Sequence, residues 1–313
     1  MVNLVKDRYI KKNEQQERIG IGISFGTFGE LLQGVLQDNN NFLVTMPIEC
    51  YSRAKYISNK SSNILKVFPT YKTKSLNLAN HILKHFNLQE GGILAIESNL
   101  SVGKGLASSS ADLVATSRAI SDYYGIDISN TLLNRFMREI EPSDGVMYDG
   151  IVSFYHRKVR LCKYIGNVPP LSIVGIDEGG VVDTIAYNKV QKEFTDYEKK
   201  VYEQLLNTIT KAIKEKNINE IGRIATKSAL MNQRFIYKKN LHKLIEICEE
   251  VDGLGVIVTH SGTCLGILLS TEDVNFDTKL FKVKNKLYTI TDDVFVYHSW
   301  RGKLENMDFQ SKF

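Results

Sequence analysis

The sequence predicts an α+β protein in two lobes, and three observations carry that reading. An apolar strand-like run, Gly92 to Ser98, feeds a glycine- and serine-rich turn and then a long apolar-striped helix ending near Tyr124. From Leu171 onward, strand and helix patterns follow in the order β-α-β-β-α-β, the helices between the first two strands being taken as one elaborated crossover. Between these regions stands Asn167-Val168-Pro169-Pro170, which contains the chain's only Pro-Pro pair and reads as a linker. The expected division is therefore residues 1–168 for a first lobe and 169–313 for a second. At 313 residues and 43% apolar content, the chain can bury one large core or two moderate ones.

Composition narrows the function classes. The net charge is +5, but the lysines are interleaved with acidic and apolar residues, as in KVQKEFTDYEKK (189–200) and KAIKEK (211–216). That spacing describes solvated helix faces, not a nucleic-acid stripe, so no nucleic-acid partner is expected. The cysteines Cys50, Cys162, Cys248 and Cys264 form no Cys-x-x-Cys pair, so they read as free thiols in a reducing compartment. The N-terminal residues 1–18 lack the apolar run of a signal peptide, and no stretch approaches a membrane span. The expectation is a cytoplasmic protein with no membrane partner; its oligomeric state is not readable.

In chain order, Ile21, Ile23 and Phe25 alternate as a short strand, and Gly26 to Gly34 then reads as a turn, because three glycines fall in nine residues beside Glu30 and Gln33. Residues 41–58 and 64–69 are rich in β-branched and aromatic side chains and predict strands. Leu76, Leu78, Ala79, Ile82 and Leu83 mark a helix over 75–86. In the central stretch, Gly103 and Gly105 bracket Lys104, and Ser108, Ser109 and Ser110 follow. Leu106, Ala107, Ala111, Val114, Ala115, Ala119, Ile120 and Tyr123 recur near the helical period as one buried stripe. No acidic residue lies between Ser98 and Ala111. Glycines that let the backbone approach an anion, followed by the unpaired N–H groups of a helix start, make a phosphate site. The hydroxyls can cap the helix, hold phosphate oxygens or ligate a divalent ion.

The stretch is neither a P-loop, because Gly105 follows Lys104, nor a dinucleotide fingerprint, because Ser108 stands where a third glycine belongs. Ser101-Val102-Gly103-Lys104-Gly105-Leu106-Ala107-Ser108-Ser109-Ser110 instead resembles the second motif of the GHMP kinases, Pro-x-Gly-x-Gly-Leu-Gly-Ser-Ser-Ala. Ser101 replaces the proline, Ala107 a glycine and Ser110 the final alanine. Gly29-Glu30-Leu31-Leu32-Gln33-Gly34 is similar to the first motif as it stands in bacterial L-threonine kinases of the cobalamin-synthesis type, with Phe25 where a proline is usual.

A helix is expected over 130–140, where Leu132, Leu133, Phe136 and Ile140 share a face, and Glu139 to Gly150 is a turn dense in carboxylates. Its Glu141-Pro142-Ser143-Asp144-Gly145 resembles the Glu-Pro-Thr-Asp-Gly of the same kinases. In the second lobe, strands are expected at 171–176, 255–259, 264–269 and 294–297, with helices at 197–213, 218–231, 241–251 and 276–287. The order is that of a ferredoxin-like lobe. His260-Ser261-Gly262-Thr263 resembles the third motif, a loop that closes the active site, and Asp177, Gly179, Gly180, Asp183 and Thr184 also match the threonine kinases.

The resemblance spans about residues 21–269 and implies an ATP-dependent small-molecule kinase with the two-lobed GHMP fold. It places the nucleotide phosphates on Gly103, Lys104, Gly105, Leu106, Ala107, Ser108, Ser109 and Ser110, with Lys104 meeting phosphate charge. Mg2+ falls to Ser109 and Glu139, with Glu141 as runner-up, and the catalytic carboxylate is Asp144. Glu30, Gln33, His260, Ser261, Gly262 and Thr263 face an amino-acid acceptor, L-threonine being the first candidate. A kinase for serine or homoserine, or a nucleotide-binding regulator without turnover, are the other readings.

Overall fold

A computed structural model describes residues 18–180, 193–300 and 302. The leader read at 1–17, the family-like positions Asp183 and Thr184, and residues 303–313 lie outside the described residues.

Two long strands, β1 (Gly20–Val35) and β2 (Asn41–Ser58), form an antiparallel hairpin at the centre of the first lobe. The glycine-rich segment Gly26 to Gly34, expected to turn, stays in strand β1. Its glycines serve bulges, with register shifts at Phe25/Gly26, Thr27/Glu30 and Glu30/Leu32. Gly29 has φ of 47°, and a Cβ on Gly34 would lie 2.3 Å from the ring of Tyr202. The glycine signal thus reported close backbone approach, which a bulged strand and a turn share.

Next come β3 (Leu65–Phe68), α1 (Thr73–His85), β4 (Gly92–Ser98), α2 (Ser108–Tyr124) and α3 (Asn130–Arg138). These agree with the sequence expectation to within a residue or two. The hairpin of β5 (Ile151–Tyr155) and β6 (Arg160–Gly166), closed by a 3-10 turn at His156–Lys158, was not anticipated. The short β5 pairs with β2, and its Ile151-Val152-Ser153-Phe154-Tyr155 is rich in β-branched and aromatic residues, a strand signal too short and too free of alternation to stand out beside the preceding turn.

Helix α2 is expected to bury one stripe, but Ser108, Asp112, Thr116 and Ser117 are buried as well as the apolar face. The helix lies directly on the hairpin because Gly20 and Gly22 have no side chain. A Cβ on Gly22 would meet the Ala115 carbonyl oxygen at 2.0 Å and the Ala119 nitrogen at 2.4 Å. Both obstacles are helix backbone, so the helix must lift off the sheet to admit a methyl. Gly22→Ala is expected to destabilise the protein by about 1–3 kcal/mol, read as a lower denaturation midpoint at unchanged m. An unchanged midpoint would mean that the helix does not seat on this glycine.

The second lobe contains β7 (Leu171–Asp177), α4 (Asp196–Lys214), α5 (Ile218–Asn232), α6 (Leu241–Glu250), β8 (Gly255–Val258), β9 (Cys264–Ser270), α7 (Phe276–Tyr288) and β10 (Val294–His298). Its strands lie antiparallel in the order β10-β7-β9-β8, the ferredoxin-like arrangement. Helix α4 starts on a reciprocal capping box between Thr195 and Glu198.

Strand β8 pairs with β1 at Val258 and Glu30, so a single ten-stranded sheet crosses both lobes. The hydrophobic core of the first lobe also continues past the Pro-Pro linker: Tyr202, Ile209, Ile221 and Ile224 belong to it, while Val174, Leu244, Val256 and Val283 form a separate core. The chain then returns to its start. Trp300 stacks on Phe25 at 4.6 Å, and its backbone N–H donates to the Pro47 carbonyl at 3.0 Å. Among the described residues no helix is long and apolar enough to cross a membrane. Cys50, Cys248 and Cys264 are buried free thiols, and Cys162 is half-buried and also free.

Candidate active site

Where β1 meets β8, a cleft opens between the start of α2 and the turn after α3. Glu30, Gln33, Gly103, Gly105, Leu106, Ala107, Ser108 to Ser110, Glu141 to Asp144, His156 and Ser261 line it. The loop from Gly103 to Ala107 is fixed to β1 by Thr27 N–H donating to the Leu106 carbonyl at 3.2 Å and Gly29 N–H to that of Gly105 at 3.1 Å. Gly103 and Gly105 take φ of 75° and 79°. Ala107, where the motif it resembles has glycine, holds φ of 56° in the left-handed region where a β-carbon is strained, which explains why glycine suits the position. The helix begins without a side-chain cap, so its first-turn N–H groups and positive dipole end are left to a ligand in the cleft.

Three carboxylates converge on this helix start. The Ser110 hydroxyl accepts from the Asp144 N–H at 3.1 Å and lies 3.4 Å from Asp144 Oδ2. Burial raises the Asp144 carboxyl to about 7, the negative charges of Glu30 and Glu141 add to the rise, and the Ser110 hydroxyl opposes it. Ser109 donates to Glu141 Oε1, and Lys74 Nζ lies 2.5 Å from Glu141 Oε2. Glu139 is elsewhere: it is exposed at the end of α3 with His81 3.9 Å away. The structure therefore brings Ser109 together with Glu141, not with Glu139. The helix ends before Glu139, and the turn through Pro142 carries Glu141 back over α2.

Lys104 is also placed differently from the sequence expectation. Its ammonium lies 2.5 Å from Asp177 Oδ2 and donates to the Gly180 carbonyl at 2.7 Å, and the side chain does not line the cleft. Asp177 is pushed up by burial but held below the usual carboxylate range by Lys104, the Thr263 hydroxyl and the Gly179 N–H. Lys104 thus ties the phosphate-loop candidate to the second lobe, and the backbone of its neighbouring glycines faces the cleft.

The His260 to Thr263 loop locks onto the same segment. A Cβ on Gly262 would lie 2.0 Å from the Lys104 carbonyl oxygen, and one on Gly105 would lie 2.5 Å from Thr259 Cβ. Buried Glu30 accepts from the His260 N–H at 3.1 Å, and its Oε2 lies 2.9 Å from His260 Nδ1. His260 Nε2 in turn meets the Ser228 hydroxyl at 2.9 Å. Ser261 reaches the cleft, while Thr263 bonds to Asp177. Sequence reasoning missed Lys238, whose ammonium donates to the Gly262 carbonyl from a buried position. Burial lowers it to about 8, against the pull of Glu178, Cys264, Glu30 and Asp177. It also missed Lys74 and His156; an isolated lysine and an isolated histidine carry no local signal for the part they take.

Hard oxygen ligands suit Mg2+, which is commonly held by one or two protein oxygens together with substrate phosphates. The Ser109 hydroxyl and Glu141 carboxylate at the helix start fit that donor set. Among the described residues no group of three or more His, Cys, Asp or Glu side chains is placed to hold a metal ion.

Family models match both lobes: "GHMP kinases N terminal domain" over residues 73–156 and "GHMP kinases C terminal" over residues 209–276. A protein named L-threonine kinase from Citrobacter freundii is 25% identical over 263 residues, covering 84% of this chain and 90% of that one. Another of that name from Salmonella typhimurium is 25% identical over 248 residues, covering 77% and 80%. Among solved structures, homoserine kinase from Cytophaga hutchinsonii superposes with a TM-score of 0.71 at 14% identity, over 92% of this chain and 96% of that one. Lactococcus lactis galactokinase, solved with galactose, gives a TM-score of 0.66 at 11% identity, over 92% and 94%.

Proposed function

We propose that this chain, which carries the two domains of the GHMP kinases and with them ATP-dependent phosphotransfer to a small molecule, phosphorylates the side-chain hydroxyl of L-threonine. The products are O-phospho-L-threonine and ADP. The observation that carries the reading is the convergence of Asp144 and the Ser109–Glu141 pair on one uncapped helix start. The substrate assignment is supported by the two relatives named L-threonine kinase and by the first- and third-motif residues.

Phosphoryl transfer asks a protein mainly for positioning and charge neutralisation. In this proposal the amides of Gly103 to Ser110 hold the phosphates of ATP. Ser109 and Glu141 hold Mg2+, which when bound neutralises phosphate charge. Asp144 orients the acceptor hydroxyl and takes its proton as the oxygen attacks the γ-phosphorus and ADP leaves. Glu30, fixed by His260, forms the acceptor wall with Gln33 and Ser261. Lys104 and Lys238 act indirectly, by holding the two loops together.

The reading is tested by ADP release across L-threonine, L-serine, L-homoserine and simple amino alcohols. L-Threonine is expected to have the highest kcat/KM, with serine about 10–200-fold lower for the loss of one methyl contact. A higher kcat/KM for serine, homoserine or a sugar overturns the substrate assignment.

A further inference from the structure

Beyond the cleft lies a smaller chamber that shares Gln33 and His156 with it, so the two spaces adjoin. Gly34, Asn41, Arg157, Asn232 and the rings of Phe194, Tyr202 and Phe235 also line it. Phe194 packs against Tyr202 at 5.8 Å and against Phe235 at 5.1 Å, so the three rings form one continuous wall. The solvent-accessible volume is about 20 Å³, room for one or two water-sized groups and too little for a sugar ring.

Among the described residues, two polar atoms here have no partner. Asn232, 6% exposed, has a buried Nδ2 without an acceptor, and Gln33 has a buried Oε1 without a donor. An unsatisfied buried polar atom costs about 1–3 kcal/mol, so two beside one ligand cleft call for a partner. They sit close in the fold: the Gln33 N–H donates to the Ser228 hydroxyl at 3.2 Å, and Ser228 lies one helical turn before Asn232 on α5. A free donor and a free acceptor beside an arginine complement a group carrying both a carboxylate and an ammonium.

We infer that the chamber receives the carboxylate and ammonium of an α-amino-acid acceptor whose remaining atoms stay in the cleft, with Asn232 Nδ2 donating to the carboxylate and Gln33 Oε1 accepting from the ammonium. The inference rests on the cleft being the acceptor site of the proposed kinase, and it names the residues that select short amino-acid alcohols over sugars and simple alcohols.

Calorimetry on the full chain with MgADP tests this, using L-threonine, 3-hydroxybutyrate, which lacks the ammonium, and 1-amino-2-propanol, which lacks the carboxylate. The unmodified protein is expected to bind L-threonine at least ~10-fold more tightly than either analogue, since each analogue leaves a buried group unpaired. Asn232→Asp keeps the size but sets a negative charge against the carboxylate. It should weaken L-threonine by at least ~10-fold and leave 1-amino-2-propanol unweakened. Gln33→Leu should weaken L-threonine and 1-amino-2-propanol but not 3-hydroxybutyrate. MgADP affinity in the same titrations reports whether each variant is folded, and Gln33→Glu, which keeps the acceptor oxygen, should restore L-threonine binding. Absent binding of L-threonine, equal losses for all three ligands, or no loss in either variant overturns the inference. The expected binding pattern without ADP release on addition of MgATP would overturn the kinase reading and leave the chamber assignment standing.

Discussion

Asp144→Asn is expected to lower kcat by about 10²–10⁴-fold while MgATP affinity stays within about threefold. An alcohol is a poor nucleophile at neutral pH, and the substitution keeps a hydrogen-bonding oxygen but removes charge and basicity. Asp149 is the internal control. It is exposed, lies 3.8 Å from Arg118 and does not line the cleft, so Asp149→Asn should be mild. The reverse pattern would move the assignment to Asp149.

The same substitution carries a stability signature with a definite sign. With its carboxyl raised to about 7 in the fold, against 3.8 for an unperturbed aspartate, Asp144 favours folding when protonated. That contribution is fully present below about pH 4 and is lost as pH rises through about 7. The loss amounts to at most about 4 kcal/mol for such a shift. Asp144→Asn should therefore raise Tm at pH 8 and change it little at pH 4, so activity falls where stability rises. In the unmodified enzyme kcat/KM should climb as pH rises through about 7, because the free carboxylate is the working form. A Tm that drops at pH 8 in the variant would show that Asp144 is a structural anchor.

Glu141→Gln is expected to cut turnover by about 10²–10³-fold at limiting Mg2+, with partial recovery as Mg2+ is raised. Ser109→Ala should act in the same direction, since the two side chains touch. Glu139→Gln should leave both turnover and Mg2+ dependence near normal, because Glu139 is exposed beside His81. Initial rates against Mg2+ concentration for the three variants separate the roles. A large effect at Glu139 with none at Glu141 would return the metal to the end of α3. Lys74, 2.5 Å from Glu141, offsets part of the carboxylate's charge before any cation arrives.

Much of this arrangement is written locally. The glycines and serines from 103 to 110 mark a helix start whatever surrounds them, and the alternation of strands and helices after Leu171 sets the ferredoxin-like order. What sequence could not carry was direction. Lys104 stands in a phosphate-like motif, yet its ammonium points to Asp177, a residue 73 positions on whose location depends on the sheet. Glu139 and Glu141 differ by two positions, and the course of the chain through Pro142 decides which of them reaches Ser109. The Gly26 to Gly34 segment signals close approach in a bulged strand and in a turn alike, and only pairing with β2 distinguishes them. Asn232 had no sequence signal at all: it becomes notable only because α5 sets it beside Gln33, some 200 residues earlier, with no partner for its amide nitrogen among the described residues.

The central claim is transfer of the γ-phosphoryl group of ATP to a threonine hydroxyl in the cleft at the start of α2. Phosphorus NMR of the purified chain with MgATP and L-threonine follows donor and acceptor together. A phosphomonoester resonance matching O-phospho-L-threonine, growing in a 1:1 ratio with ADP and absent in Asp144→Asn, is the predicted result. ADP accompanied only by inorganic phosphate, or an unchanged ATP spectrum in the presence of L-threonine, would contradict it.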